Sequence, residues 1–351
     1  DETNKINKIN KTDEINQINQ INEINQINQI NQINETNEIN ETNEINEINQ
    51  TNETNETNQI NQINETNEIN EINETNEINQ TNETNQINEI DEINQIMIDL
   101  HAHILPGLDD GARNWEEAVK MSEIARKDGI HTIVATPHIK PGIYSPSPEE
   151  IYARVVELNQ RLPFKDLTIL PGADFSFPPD LLTQVETGKA PFLPLLTPAN
   201  TPDSIHPANQ FRYLLLELPD YFIFSAVKEI IEKLQQKNII PILSHPERIA
   251  LIQKQPRLLY ELIQAGALSQ ITAMSLTGEF GKDLQKFTRT LLKKNLVHII
   301  ASDAHSEDRR PPVLSRAITE AANIIGKEPA EKLVRENPRA IIEGKRVESE
   351  S

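Results

Sequence analysis

From residue 97 onward the chain carries seven short apolar runs, at 97–100, 131–135, 167–170, 213–217, 239–244, 270–276 and 297–301. They are rich in Ile, Val and Leu and almost lack polar alternation, which predicts strands buried on both faces. Helical spacing fills the intervals. Asn114 followed by Glu117 reads as a cap for a helix running to about Lys127 and ended by Gly129; Ser147-Pro148-Glu149-Glu150 reads as a capping box with proline in the first turn. Further helices are predicted at 179–187, 225–237, 256–265, 280–294, 311–325 and 328–335. Seven strand–helix alternations in 255 residues predict an α/β fold with a parallel sheet. No glycine-rich phosphate loop follows the first strand, so a closed (β/α)7 TIM-like barrel is expected and not an open doubly wound sheet.

Residues 1–96 follow another rule. They repeat the triplet Ile/Thr-Asn-Glu/Gln/Lys and contain no Gly, Pro, Met or aromatic residue. A period of three suits neither strand nor helix; on an α-helix each triplet advances about 300°, so the isoleucines spiral and form no seam. Low hydrophobicity and low complexity predict disorder. The first methionine is Met97, and two readings stand side by side: translation starting there, or a genuine disordered extension. The expected division is a low-complexity repeat over 1–96 and one globular domain over 97–351. Residues 190–210, with five prolines and no periodicity, are expected to be a lid over the site or a tolerated surface insertion.

Charge changes the picture little once it is located. Residues 1–96 hold 21 acidic and 3 basic side chains, a net of −18 out of the chain's −21, which leaves −3 for the rest. The acidic balance therefore belongs to the repeat, and no nucleic-acid partner is implied. There is no cysteine, which removes disulfides, thiol metal sites and a cysteine nucleophile. No apolar run approaches the roughly 18 residues of a membrane span and no signal segment opens the chain, so a cytoplasmic protein without membrane insertion is expected.

The candidate chemistry lies at the ends of the strands. His101 and His103 follow the first strand, one residue apart, with Asp109 and Asp110 just after; His138 follows the second, Asp174 the third, Glu217 ends the fourth, His245 the fifth, and Asp303 and His305 the seventh. In a barrel the C-terminal strand ends build the active site, and scattered surface residues would not obey that rule. His131, at the start of a strand, and His298, inside one, are expected to be structural; His206 falls in the proline-rich insertion and defaults to solvent. Five histidines and four carboxylates, with no necessary role for Asp109, exceed the needs of one ion and suit two or three. Clustered divalent ions clamp phosphoryl groups, and guanidinium groups fork onto phosphate oxygens. Arg248 and Arg310 stand beside the ligand motifs, although Arg310 has an alternative partner in Asp308. These residues describe a multi-metal phosphoesterase.

Met-Ile-Asp-Leu-His-Ala-His with Asp-Asp-Gly, then Thr-Pro-His, Gly-Ala-Asp, His-Pro-Glu-Arg and Ser-Asp-Ala-His before Arg-Pro-Pro, resembles the PHP (polymerase and histidinol phosphatase) superfamily. Within it, the set is most similar to the bacterial tyrosine-protein phosphatases associated with capsule and exopolysaccharide genes. The resemblance covers residues 97 to about 345. It implies a distorted (β/α)7 barrel with three metal ions, manganese foremost and zinc, iron or magnesium as alternatives. His101, His103 and Asp303 would hold one ion, Asp174 would bridge to a second completed by Glu217 and His245, and Asp110, His138 and His305 would hold the third. Arg248 and Arg310 would bind phosphate, and His138 or His305 would serve as acid where not committed to metal. The implied reaction is in-line attack by hydroxide on phosphotyrosine, the implied partner the tyrosine-rich tail of a bacterial tyrosine kinase; a homo-oligomer is compatible.

This chain departs from the family at Asp174, where glutamate is usual. Aspartate is one methylene shorter, so a weakened bridge and reduced activity are expected. The insertion around 190–210 is longer than the family implies, and the repeat has no counterpart there. Three other readings remain: a phosphatase of a small phosphoester such as histidinol phosphate, a catalytically impaired binding homologue with Asp174 as the lesion, and an interaction protein defined by its repeat.

Overall fold

In this computed structural model the residues described are 96–195 and 210–347. The repeat over 1–95, most of the proline-rich insertion with His206, and the last four residues lie outside them, and so do the expectations of a lid and of disorder.

The seven predicted strands are present, two of them in two pieces. The strands are β1 (Met97–Ala102), β2 (Ile130–Ala135), β3 (His138–Ile139), β4 (Thr168–Pro171), β5 (Asp174–Ser176), β6 (Arg212–Glu217), β7 (Ile239–Ser244), β8 (Leu268–Thr272) and β9 (Ile299–Ala301). Pairing is parallel throughout, in the orders β1-β2-β4 and β3-β5-β6-β7-β8-β9. Pro137, which has no N–H to give the ladder, separates β2 from β3, and Gly172-Ala173 separate β4 from β5. Since β3 continues β2 and β5 continues β4, the two sheets are one set of seven staves. The ring closes where β1 meets the segment after β9, through the bridge Ala102↔Ala304 and the bonds His103 N→Ala304 O and Asp303 N→His101 O, both 2.8 Å.

The helices follow the sequence signals closely. Helix α1 (Trp115–Lys127) starts where the Asn114 side chain accepts from the Glu117 amide. Helix α2 (Pro148–Arg161) starts at a complete capping box between Ser147 and Glu150. The remainder are α3 (Leu181–Glu186), α4 (Phe224–Gln235), α5 (Ala250–Lys254), α6 (Arg257–Gln264), α7 (Ala273–Thr277), α8 (Lys282–Lys293), α9 (Ser315–Ile325), α10 (Lys327–Lys332) and α11 (Glu336–Ile342). One expectation fails: the strand foreseen over 270–276 ends at Thr272 and turns directly into α7. The apolar run continued because α7 is itself buried at Ala273, Ser275 and Leu276, and a short buried helix cannot be told from a strand by hydrophobicity alone.

The barrel interior explains where the site must be. Alternate residues of a strand share a face. On β6 the series is Tyr213, Leu215, Glu217; on β8 it is Leu268, Gln270, Thr272; after β9 it runs Ile299, Ala301, Asp303. The lower members of each series join Ile98, Leu100, Ile240 and Ile242 in one apolar cluster, sealed from beneath by Ile341, Ile342 and Val347. The upper members are polar. Tyr213 pins the seal by donating its hydroxyl to Lys345 O at 2.5 Å.

Gly172, at the break between β4 and β5, leaves no room for a side chain: a Cβ there would stand 2.6 Å from Val134 Cγ1. Gly172→Ala is expected to destabilise by about 2–3 kcal/mol through overpacking, a fall of roughly 4–12 °C in Tm. Adding Val134→Ala should give a loss smaller than the sum of the two single changes; strict additivity in thermal melts would refute the steric account.

Candidate metal centre

At the mouth of the barrel three imidazoles are held in one way. His101 Nδ1 lies 2.8 Å from Gln270 Oε1, His103 Nδ1 lies 2.6 Å from Asp109 Oδ2, and His305 Nδ1 lies 2.9 Å from the Asp303 carbonyl. Each of these oxygens accepts, so each Nδ1 is the protonated nitrogen and each Nε2 keeps its lone pair. The Nε2 atoms of His101 and His103 then confront each other at 3.0 Å. Two lone pairs at that separation need a cation between them, a metal ion or a proton. Histidines tethered through the far nitrogen to an oxygen are the usual way of orienting metal ligands.

The carboxylates complete the arrangement. Asp303 turns Oδ1 toward the histidines, 3.5 Å from both His101 Nε2 and His103 Nε2 and 3.6 Å from His305 Nδ1. Asp174 Oδ2 lies 3.1 Å from His138 Nδ1 and 3.8 Å from His101 Nε2, while its Oδ1 accepts from Ser244 Oγ. His138 Nδ1, Asp174 Oδ2 and Glu217 Oε2 are buried without a hydrogen-bond partner. Buried orphans of this kind are costly unless something binds them. Three overlapping donor groups result: His101, His103 and Asp174; His138, Asp174 and Glu217; and His103, Asp110, His138 and His305. The donors are imidazole nitrogens and carboxylate oxygens, which suit manganese, iron or zinc. The residues present therefore fit the expected ions.

The grouping differs in part from what the resemblance implied. The set of Asp110, His138 and His305 is brought together, with Asp110 Oδ1 3.7 and 3.8 Å from the Nε2 atoms of His138 and His305. Asp174 belongs to two groups at once despite its shorter side chain. Asp303 and His245 are in none of the three, Asp174 taking the place expected for Asp303 beside His101 and His103; the His245 ring stands 5.7 Å from that of His101, and it shares with Glu217, Lys140 and Arg248 the wall of a cavity of about 280 Å3. Glu217 groups instead with His138, because the short β3 strand carries His138 to the level of Asp174 on β5. His298 is buried against Ser269 and His131 bonds the Gly129 carbonyl, both away from the site as expected.

Arg310 does not pair with Asp308. Its Nη2 meets Asp303 Oδ2 at 2.6 Å and the Asp303 carbonyl at 2.9 Å. Arg248 Nη2 meets the same Asp303 Oδ2 and also Thr272 Oγ1, the latter at 2.8 Å. The Nε atoms of both arginines are buried and unpartnered.

Protonation follows burial and charge. Burial pushes His245 down to about 3 and His305 down to about 2, and lowers His101, so these rings are neutral and free to ligate. Burial also opposes a charge on His103, but Asp109 and Asp303 overcome it and push the ring up to about 10. Burial would raise Asp109, yet the His103 bond and the amides of His138 and Gly111 bring it down to about 2. With its neighbours Asp109 and Asp303 ionised, the His103 ring therefore holds its second proton strongly.

Sequence reasoning passed over Asp109, expecting no role for it, and Gln270. Asp109 is the second carboxylate of an acidic pair; it orients His103 and binds the His138 amide at 2.8 Å. Gln270 lies in β8, the one predicted strand that delivers neither histidine nor carboxylate, and it supplies the tether for His101. The available signal was a run of polar side chains, Ser269, Gln270 and Thr272, inside a strand that is buried throughout. Gly111 also has a reason: a Cβ there would overlap the His103 carbonyl, so the Asp-Asp-Gly turn presses its backbone against the ligand.

Fold and site together define a hydrolase-type α/β barrel with a cluster of metal-ligating side chains at its strand ends. The model of the capsular polysaccharide synthesis family CpsB/CapC matches residues 97–343, and the chain belongs to that family. It is 38% identical over 216 residues to the tyrosine-protein phosphatase YwqE of Bacillus subtilis, covering 61% of this chain and 79% of that protein. It is 30% identical over 254 residues to the tyrosine-protein phosphatase CpsB of Streptococcus pneumoniae, covering 70% and 98%. Among solved structures, a chain from the crystal structures of YwqE and CpsB, described as unique metal-dependent tyrosine phosphatases, superposes with a TM-score of 0.64 at 34% identity, over 72% of this chain and 96% of that one.

A metal-free protein should carry the His103 charge. A raised imidazole contributes stability in full below its ordinary 6.5 and loses it as pH rises toward 10. Tm of the metal-free protein is thus expected to fall between pH 6.5 and 10, and the fall should vanish when metal replaces the proton. Asp109→Asn should flatten the decline and weaken metal affinity about 10–100-fold; thermal scans with and without manganese, plus titration calorimetry, check both, and an unchanged affinity would deny Asp109 its orienting role.

Proposed function

We propose that this chain is a metal-dependent protein-tyrosine phosphatase whose substrate is the phosphotyrosine-bearing tail of a bacterial tyrosine kinase governing capsule or exopolysaccharide synthesis. The observation that carries the reading is the pair of Nε2 atoms facing each other at 3.0 Å, each ring tethered through Nδ1, beside two arginines with free Nε groups. That is a metal centre built next to an anion receptor. The names of the family and of its relatives give the substrate class. Manganese, in three ions held by His101, His103, Asp110, His138, Asp174, Glu217, His245, Asp303 and His305, is the cofactor we infer.

Bound ions at these donors would supply Lewis-acid polarisation of the phosphoryl oxygens and hydroxide near neutral pH. The remaining work falls to side chains. Arg248 and Arg310 present guanidinium N–H groups to the equatorial phosphoryl oxygens, where charge-assisted bonds strengthen as charge develops. Asp303 holds the two arginines on one carboxylate oxygen and faces the histidines with the other, which fixes the anion receptor relative to the ligands. His305 spends its Nδ1 proton on the Asp303 carbonyl, so it offers a lone pair and is a poor acid. A phenolate is a good leaving group and needs little help from an acid.

We read residues 97–351 as the whole catalytic domain and 1–96 as dispensable for chemistry, and we assign the protein to the cytoplasm. Among the described residues no helix is long and apolar enough to cross a membrane.

The test is turnover of a phosphotyrosine peptide and of histidinol phosphate by the manganese-loaded full-length protein and by a chain beginning at Met97, with a chelator control. Chelator-sensitive hydrolysis that favours the peptide, equal for both chains, is expected. Arg310→Ala should lower kcat/KM by about 100-fold, as for removal of one transition-state donor. Preference for histidinol phosphate would move the reading to a small phosphoester, and tight metal binding without turnover would move it to a binding homologue impaired at Asp174.

A further inference from the structure

Between α7 and α8 the chain makes a tight turn framed by two glycines, Gly278 at φ +98° and Gly281 at φ +102°. Both values lie where side chains are strained, so glycine is needed at each. Two residues lie between them. Glu279 is tied down by Arg316 at 2.8 Å and by the Thr277 hydroxyl, which anchors the turn. Phe280 is only partly buried, and it packs against none of the three apolar clusters of the domain. Its neighbours are charged. Arg248 Cζ stands 4.7 Å from the ring centroid and Arg310 Cζ 5.7 Å.

A half-buried phenylalanine outside the three apolar clusters needs another explanation, and the two arginines provide it. They come from the segments after β7 and β9, on either side of β8, and converge on one carboxylate oxygen, Asp303 Oδ2. Two guanidinium groups so close repel, and a single carboxylate offsets only one charge. An aromatic face within about 6 Å attracts a cation through its quadrupole, and here one ring serves both. Both Nε groups remain buried and without partners, although a reach to solvent or to another carboxylate would satisfy them. The ring and Asp303 together keep the pair converged with those donors free.

We propose that Phe280 is a positioning residue that holds Arg248 and Arg310 side by side as one receptor for a phosphoryl dianion. This rests on the reading of the site as a phosphatase, but it concerns anion binding and can be tested without turnover.

The probe is inorganic phosphate, titrated into the manganese-loaded full-length protein by calorimetry. Phe280→Ala should weaken phosphate binding about tenfold, the size expected for losing two partly exposed cation–π contacts. Phe280→Trp should stay within about twofold of the wild type. Phe280→Leu, which keeps bulk and loses the quadrupole, should behave like Phe280→Ala. Metal content and Tm should be unchanged in the Trp and Leu variants, which keep the test open if the alanine variant folds poorly. Where the wild type hydrolyses phosphotyrosine, KM and the inhibition constant of phosphate should rise together while kcat stays within about threefold. Phosphate affinity that is indifferent to Phe280, or restored by Leu as well as by Trp, overturns the proposal, as does a wild type that binds no phosphate. A wild type that binds phosphate through Phe280 yet hydrolyses no phosphotyrosine overturns the activity and leaves the receptor standing.

Discussion

The seam at which the barrel closes is the constraint on which the site depends. Asp99 on β1 is buried and accepts from the Ser302 amide at 3.0 Å and from its hydroxyl at 2.5 Å. Ala102 bridges Ala304 beside it. These contacts bring the first strand against the last, and with them the pair His101 and His103 against Asp303 and His305. Asp303 adopts a left-handed backbone, φ +51°, as does His245 at φ +34°. Such conformations cost about 1–3 kcal/mol each for non-glycine residues, and they persist here because the closed ring leaves the chain no alternative path. Burial pushes the Asp99 carboxyl up to about 6 against the bonds that favour its charge, so ionising that group costs the closed seam stability as pH rises from its ordinary range through that value.

Asp303 divides the mouth of the barrel in two. One oxygen faces three imidazoles and the other faces two guanidinium groups. The histidine cluster and the arginine pair thus meet on a single side chain. Beneath it, histidine orientation is governed by oxygens of quite different origin: a side-chain amide, a carboxylate and a backbone carbonyl. What they have in common is that each fixes the tautomer, and through it the direction of the lone pair.

Much of this was legible in the residues alone. Buried apolar runs marked the strands, capping residues marked the first two helices, and the rule that strand ends carry function pointed to the seven residues that the structure brings together in three donor groups and to the two arginines beside them. Less legible was anything that depends on pairing across the sequence. The breaks at Pro137 and Gly172 shift His138 to the level of Asp174, and from there Glu217 groups with His138 and not with His245. Helix α7 hid inside an apolar run. Gln270, Asp109 and Phe280 carry no motif; a glutamine in a buried strand, a second aspartate in a turn and a phenylalanine between glycines acquire meaning only from what stands opposite them in space.

The seam has a consequence for how the protein is made. Asp99 and Ser302 are separated by 203 positions along the chain, so the ligand pair that emerges first from the ribosome waits for the pair that emerges nearly last. Contacts of such long range form slowly and late. Until then the first strand has β2 on one side and an open edge on the other, and His101 and His103 lack the Asp303 and His305 that they come to face. The donor cluster is therefore completed only at the moment the barrel shuts.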